Sequence, residues 1–223
     1  MMGSKIPHRH SRAVNSYKQR IVELLKSWET GDSQPFAYIN PDKLVQHNPR
    51  MGDGLATYTT FFRSLPRGSV KVNVVRVFQD GDIVFAHTER IMARPEVTFD
   101  IFRFEDGKIV EHWDNTQDKA AQPNPSGHTM TDGPTEATDL DKTEENKELM
   151  RAYRDDVIQG RRERVARYYD DGKYIQHNPL FADNSSGLTA GIQALERQGL
   201  KVKFDRVHMV FGEGNFVLVV RGE

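Results

Sequence analysis

The sequence predicts an α+β fold, with helices packed on one face of a curved antiparallel sheet, laid down twice along the chain. Three observations carry this. Helical periodicity comes first in each half, alternating strands joined by Gly turns follow, and one tetrapeptide occurs twice. Gln46-His47-Asn48-Pro49 recurs as Gln176-His177-Asn178-Pro179, an offset of 130 residues. At an offset of 133, Gly54-Leu55 matches Gly187-Leu188, and Val74, Val77, Phe78, Gly81 and Val84 match Val207, Val210, Phe211, Gly214 and Val217.

Each element has its own signal. Ser16 to Gln19 reads as a capping box opening a helix whose Ile21, Leu24, Leu25 and Trp28 share a face until Gly31. In the second half Thr143 can cap, Glu144 and Glu145 suit the positive helix end, Leu149, Tyr153 and Val157 form the stripe, and Gly160 stops it. A short strand then leads into each His-Asn-Pro turn, and a short helix follows around Leu55 to Ser64 and Leu188 to Gln198. Val70 to Phe78 and Ile83 to Arg90 join across Asp80-Gly81, and Val97 to Phe104 and Ile109 to Asn115 join across Asp106-Gly107, as hairpins. The expected layout is a complete domain over 13–118, a linker over 119–142 rich in Pro, Gly, Thr and Asp, and a partial second copy over 143–223 that lacks the last strands. Its open sheet edge leads to the expectation of a homodimer.

Composition narrows the function classes. The chain has 223 residues, 37% hydrophobic and 28% charged, with a formal net charge of -1. No apolar run reaches the ~20 residues of a membrane span, and a near-neutral chain without interleaved aromatic and basic residues is not expected to bind nucleic acid. The basic start (Lys5, His8, Arg9, His10, Arg12) reads as a solvated tail, not as a signal segment. Zero cysteines exclude disulfides and thiolate chemistry, so the cytoplasm is the default compartment. No local metal-ligand spacing, phosphate loop or dinucleotide fingerprint occurs, so neither metal nor cofactor is expected.

The densest chemistry runs from Phe99 to Asp114. A three-residue turn over Glu105, Asp106 and Gly107 sets Asp100 opposite His112 with Asp114 diagonal on the same face. A two-residue turn pairs Asp100 with Trp113 and splits the acids between faces. The first register is the expected one. It places two carboxylates and an imidazole beside Phe102 and Val110, where desolvation would raise a carboxylate's pKa and suit it to proton abstraction. A solvated acid with a surface histidine has the same spacing. His47 is a candidate for the pocket mouth or a backbone tie. His87 shares a face with Glu89, and Trp113 is a pocket-wall candidate.

Gln46-His47-Asn48-Pro49 with Asp53-Gly54, and Gly107-Lys108-Ile109-Val110-Glu111-His112-Trp113-Asp114, resemble the signature of SnoaL-like proteins described as aldol-condensation enzymes. The resemblance covers Tyr17 to Gln117. Asp139-Leu140-Asp141-Lys142-Thr143 and the second tetrapeptide are similar to a duplicated branch of that group. The resemblance implies an NTF2-like cone-shaped barrel and cofactor-free ring closure by intramolecular aldol condensation of a small, apolar, oxygenated ligand. It makes Asp114 the general acid/base; the reading of the residues themselves adds Asp100 and His112 as catalytic candidates and His47, His87, Trp113 and Phe102 as substrate-lining candidates. Asp100 stands near the place where the cyclases have a histidine, a departure from their pattern.

Overall fold

The computed structural model describes residues 10–66, 68–200 and 206–222. Lys5, His8 and Arg9 lie outside them. The chain divides into two compact units, Met1–Asp118 and Lys119–Glu223.

The first unit has helices α1 (His10–Thr30) and α2 (Leu55–Ser64) and strands β1 (Val45–Gln46), β2 (Lys71–Asp80), β3 (Ile83–Ile91), β4 (Pro95–Glu105) and β5 (Lys108–Asp118). A 3-10 turn, Gln34–Tyr38, follows α1. The sheet order is β1-β5-β4-β3-β2, antiparallel except that β1 runs parallel to β5. This is the expected mixed α+β arrangement of helices on a curved sheet. The helix stops at Gly31, whose φ of +77° a side chain would resist. Its start differs from the capping-box expectation. It already runs at His10, the first described residue and six before Ser16, and nothing between them is Gly or Pro to stop it.

Even-numbered residues of β3 and β4, Ile109 of β5 and the apolar stripe of α1 meet in the interior. Ile21, Leu24, Leu25, Tyr58, Val72, Val84, Ala86, Phe102, Phe104 and Ile109 are buried in one cluster. Phe36 joins α2 to this core through edge contacts with Tyr58 (5.4 Å) and Phe62 (4.6 Å). Each such side chain contributes about 1.5–3 kcal/mol on leaving water, so this cluster holds the unit together.

The β4–β5 hairpin takes neither of the two expected registers. Asp106 (φ +50°) and Gly107 (φ +76°) form a two-residue turn that pairs Glu105 with Lys108. The ladder then shifts between Phe104↔Ile109 and Arg103↔Glu111, leaving Val110 as a bulge residue. One extra residue flips the parity of everything beyond it. Phe102 therefore faces His112 and Asp100 faces Asp114 directly. The shared face that the three-residue turn would have given is reached by another route.

The second unit contains α3 (Thr143–Ile158), α4 (Arg162–Val165), α5 (Asn184–Arg197) and a hairpin of β6 (Arg206–Glu213) and β7 (Phe216–Gly222). Its His-Asn-Pro turn repeats three side-chain-to-backbone bonds of the first, although the His47 N–H donates to the His112 carbonyl and the His177 N–H to Gln176 Oε1. The Gln46 N–H donates to Asp53 Oδ1 at 2.7 Å, and the Gln176 N–H to Asp183 Oδ1 at 2.9 Å. Asn48 and Asn178 N–H donate to the Oε1 of Gln46 and Gln176 (3.1 and 2.9 Å). Arg50 and Leu180 N–H donate to the Oδ1 of Asn48 and Asn178 (2.8 and 2.9 Å). The hairpins agree as closely. The β2–β3 ladder shifts between Val74 and Arg76, the β6–β7 ladder between Val207 and Met209, and the turn glycines Gly81 and Gly214 have φ of +61° and +59°. The expected short strand before the second turn is absent, because no ladder partner among the described residues meets Ile175 and Gln176.

The segment read as a linker is bonded to the second unit. Asn124 Nδ2 donates to the Gln176 carbonyl at 2.6 Å, His177 Nδ1 lies 2.7 Å from Asp132 Oδ1, and Thr138 and Asn215 exchange two bonds of 2.9 and 3.0 Å. Among the described residues no helix is long and apolar enough to cross a membrane.

Candidate functional site

Strands β3, β4 and β5 bring charged side chains to the interior face of the first unit, beneath α1 and α2. Asp100 is 1% exposed, Arg90 5% and His112 6%. Arg90 Nη2 bonds Asp100 Oδ2, and Asp100 Oδ1 lies 3.1 Å from His112 Nε2. The other ring nitrogen, Nδ1, is 2.9 Å from Gln46 Oε1. Phe102 stacks on the imidazole with ring centres 4.5 Å apart.

Burial pushes the Asp100 carboxyl up, but the Arg90 guanidinium and the His112 hydrogen bond outweigh it and hold the group below the usual carboxylate range. This reverses the expectation of a carboxylate made basic by an apolar pocket. Asp100 is a locked anion, because the interior is apolar only in part.

Asp114 lies opposite it in the ladder, half-buried, and accepts a 2.8 Å hydrogen bond from Asn48 Nδ2. Like charges paired across a sheet repel. Arg90 and His112 offset this for Asp100, which leaves Asp114 held by a neutral amide.

Above Arg90 the helices supply an aromatic wall. The guanidinium sits 5.1 Å over the Trp28 ring, and Trp28 Nε1–H donates to Tyr58 Oη at 2.7 Å. Burial pushes the Tyr58 hydroxyl well up, so it stays protonated and, having accepted from Trp28, has its own hydrogen to give. The Arg90 Nε–H is buried and meets no acceptor among the described residues.

The fold brings Asp100, His112, Asp114 and Phe102 together and sends the other sequence candidates elsewhere. His47 is exposed, stacks flat on Trp113 at 4.8 Å and lies 2.9 Å from Glu111. Glu111 and Trp113 are odd positions on β5, so all three belong to the outer sheet face instead of the pocket mouth. His87, paired with Phe99 and stacked on it at 4.1 Å, is on that face too.

Sequence reasoning missed Gln46, Asn48, Arg90 and Tyr58. Alternation around the His-Asn-Pro turn could have pointed to Gln46 and Asn48, since residues flanking an outward histidine turn inward. Nothing local marks Arg90. A separate surface groove of about 510 Å³ is lined by Asp42, Lys43, Asp53, Arg103 and Glu105, with Glu105 paired to both Lys43 and Arg103. No group of three or more His, Cys, Asp or Glu among the described residues is arranged to hold a metal ion.

A buried cluster of charged side chains lies under two helices on a curved sheet, in a unit of the α+β class. Residues 21–112, within the first unit, match the family described as the SnoaL-like domain. Comparison with curated proteins gives no match. Among solved structures the chain is similar to TsrD from Streptomyces laurentii, at 18% identity over 51% of this chain and 92% of that one, TM-score 0.40. It is also similar to IdmH from Streptomyces antibioticus, proposed to be a polyketide cyclase, at 19% identity over 44% and 90%, TM-score 0.36. An LEH-like epoxide hydrolase of M. tuberculosis is similar at 20% identity over 48% and 84%, TM-score 0.39.

Proposed function

We propose that the first unit is a cofactor-independent acid/base enzyme acting on carbon next to a carbonyl of a small, largely apolar, oxygenated substrate, with aldol condensation as its reference reaction. One observation carries the reading. Two carboxylates stand directly opposed in the β4–β5 ladder, yet Asp100 is paired with Arg90 and His112 while, among the described residues, Asp114 is held by the Asn48 amide. Carboxylates given such different surroundings can take different roles. Asp114 removes the proton α to the carbonyl, and the C–H electron pair passes to the carbonyl oxygen as an enolate. The enolate carbon then bonds to a second carbonyl carbon, and the proton on Asp114 goes to the new alkoxide. Tyr58, neutral and with a hydrogen to donate, suits the developing oxyanion.

The experiment is deuterium uptake at the α-carbon of a panel of β-dicarbonyl ketones, followed by NMR. Asp114→Asn is expected to lower catalysed exchange by roughly 10²–10⁴-fold while leaving heat stabilisation by bound ligand in place. An unchanged rate would remove Asp114 from the mechanism. Stabilisation without exchange in the parent protein would favour a binding module.

The second unit is best understood as an incomplete repeat of the first. The hydrogen bonds conserved at an offset of 130 and the hairpin with its bulge conserved at 133 support this. Among the described residues the Gln176 side chain bonds within its own turn: its Oε1 accepts from His177 and Asn178 N–H, and its Nε2 donates to Tyr174 Oη at 2.9 Å. The acid/base reading is made for the first unit.

A further inference from the structure

We infer that the hydroxyl pair of Thr98 and Thr116 seats the oxygen of a second substrate carbonyl. The compound turned over then carries one carbonyl beside the carbon that Asp114 deprotonates and another at Thr116. This seat presupposes the acid/base reading above and assigns its second reactant.

The inner face of the sheet changes character row by row. Across β3, β4 and β5, Val84, Phe102 and His112 form one row, Ala86, Asp100 and Asp114 the next, and Thr88, Thr98 and Thr116 the one after. Beyond them Glu96 faces Asp118, and Arg94 reaches both, at 3.7 and 2.6 Å, so these outer charges pair with one another. Residues two apart on a strand share a face at a spacing of about 6.7 Å. Thr116 is therefore the neighbour of Asp114 on β5, on the side away from His112.

Thr98 Oγ1 and Thr116 Oγ1 are 3.0 Å apart, and Thr88 Oγ1–H donates to the Thr98 carbonyl. The pair has two hydroxyl hydrogens and one bond between its oxygens, so whichever oxygen donates, one hydrogen is left over. Thr98 is fully buried and meets no further acceptor among the described residues, whereas Thr116 is exposed. A stranded hydrogen on Thr98 would cost the desolvation of a buried hydroxyl. The spare hydrogen belongs to Thr116, where an incoming oxygen can take it.

The helical side presents the same device. Tyr58 accepts from Trp28 Nε1–H at 2.7 Å and keeps its own hydrogen to give. The unit thus holds two hydroxyl donors, each backed by a second donor, together with one carboxylate whose Oδ2 is taken by Asn48 at 2.8 Å and whose Oδ1 is left for the proton. Moving a proton along a single ketone needs one such donor. Condensation develops negative charge twice, first on the enolate oxygen and then on the oxygen of the attacked carbonyl. Tyr58 suits the first and Thr116 the second. As the enolate carbon bonds to the second carbonyl carbon, that carbonyl's π pair moves to its oxygen, Thr116 O–H bonds the growing alkoxide, and the proton on Asp114 passes to it.

The test uses the full chain and one probe, a linear triketone whose β-dicarbonyl end supplies an acidic carbon and whose far carbonyl can be attacked to close a six-membered ring. Deuterium uptake at the acidic carbon and appearance of the ring are followed in the same NMR sample, and the parent should show both. Thr116→Val, which keeps the branched shape that suits a strand, is expected to exchange within about twofold of the parent and to close the ring roughly 10²-fold more slowly. Thr116→Ser, which restores the hydroxyl, should recover closure. If Thr116→Val does not fold, Thr116→Ala takes its place. Closure at the parent's rate without the hydroxyl, a loss of exchange in step with closure, or a Thr116→Ser as slow as Thr116→Val would each overturn the seat at Thr116. Exchange by the parent with no closure above the uncatalysed rate would overturn the two-carbonyl substrate and leave the acid/base reading standing. No exchange by the parent would remove that reading, and the seat with it.

Discussion

The two units share turns and a hairpin but not a core. In the first, α1 buries Ile21, Leu24 and Leu25 against the sheet, and every hydrophobic side chain buried among the described residues belongs to this unit. In the second, the buried positions of α3 are Lys147, Arg154 and Asp156. Asp156 is held there by Arg161 and by Tyr168 Oη at 3.0 Å, and Lys147 reaches Glu144 at 2.9 Å. Hydrogen-bonded turn chemistry is local and survives without a packed interior, whereas an acid/base site needs strands from distant parts of the chain. The tetrapeptide meets His112 and Asp114 in one unit and bonded linker segments in the other.

The largest expected effect tests the difference in cores. Leu24→Ala should cost about 2–5 kcal/mol, since Leu24 is fully buried in the cluster, whereas Leu149→Ala on the exposed part of α3 should change stability by no more than about 0.5 kcal/mol. Both tryptophans, Trp28 and Trp113, lie in the first unit, so urea unfolding followed by their fluorescence reads that unit, and hydrogen exchange along α3 reads the other. Equal costs would erase the contrast.

Acid should separate the units next. The folded-state pKa of Asp100 lies below its unfolded value of ~3.9, so the stability it supplies is complete above that pH and is lost as pH falls through the lower folded value. The first unit should weaken progressively below about pH 4, with a shallower slope in Asp100→Asn. Asp132 is also held low, with burial outweighed by His128, Thr129 and His177, but its side chain is 38% exposed and solvent screens the gain. A steeper acid slope in the second unit than in the first would contradict this ranking.

The smallest effects belong to the two outward histidines. His47→Ala and His177→Ala each remove a partly exposed pairing with a carboxylate, expected to cost about 1 kcal/mol or less. Deuterium exchange should be unaffected by His47→Ala. A drop of about tenfold or more would bring the outer face of the sheet into the mechanism.

Much of the fold was legible because its signals are local. Alternation along β2 to β5, glycine at Gly31, Gly81 and Gly107, and the repeated tetrapeptide place the elements to within a few residues. The start of α1 was misplaced because a capping pattern inside a helix looks the same as one at its end. The site was legible in part. Asp100, His112 and Asp114 do share a face, but through a bulge at Val110 that no pattern announces, since Ile109 and Val110 are equally apolar and both buried. His47 drew attention as the reactive residue of its motif, while its neighbours Gln46 and Asn48 reach the acids.

The sequence by itself determined the order of helices and strands, the turns, and the presence of two acids and a histidine at alternating positions, because each depends on residues close together in the chain. Tertiary structure alone decided which acid is locked and which is held by a neutral amide. That choice depends on Arg90 arriving from β3 and Gln46 from β1, and charge in a buried site is set by what packs around it, not by what precedes it in sequence.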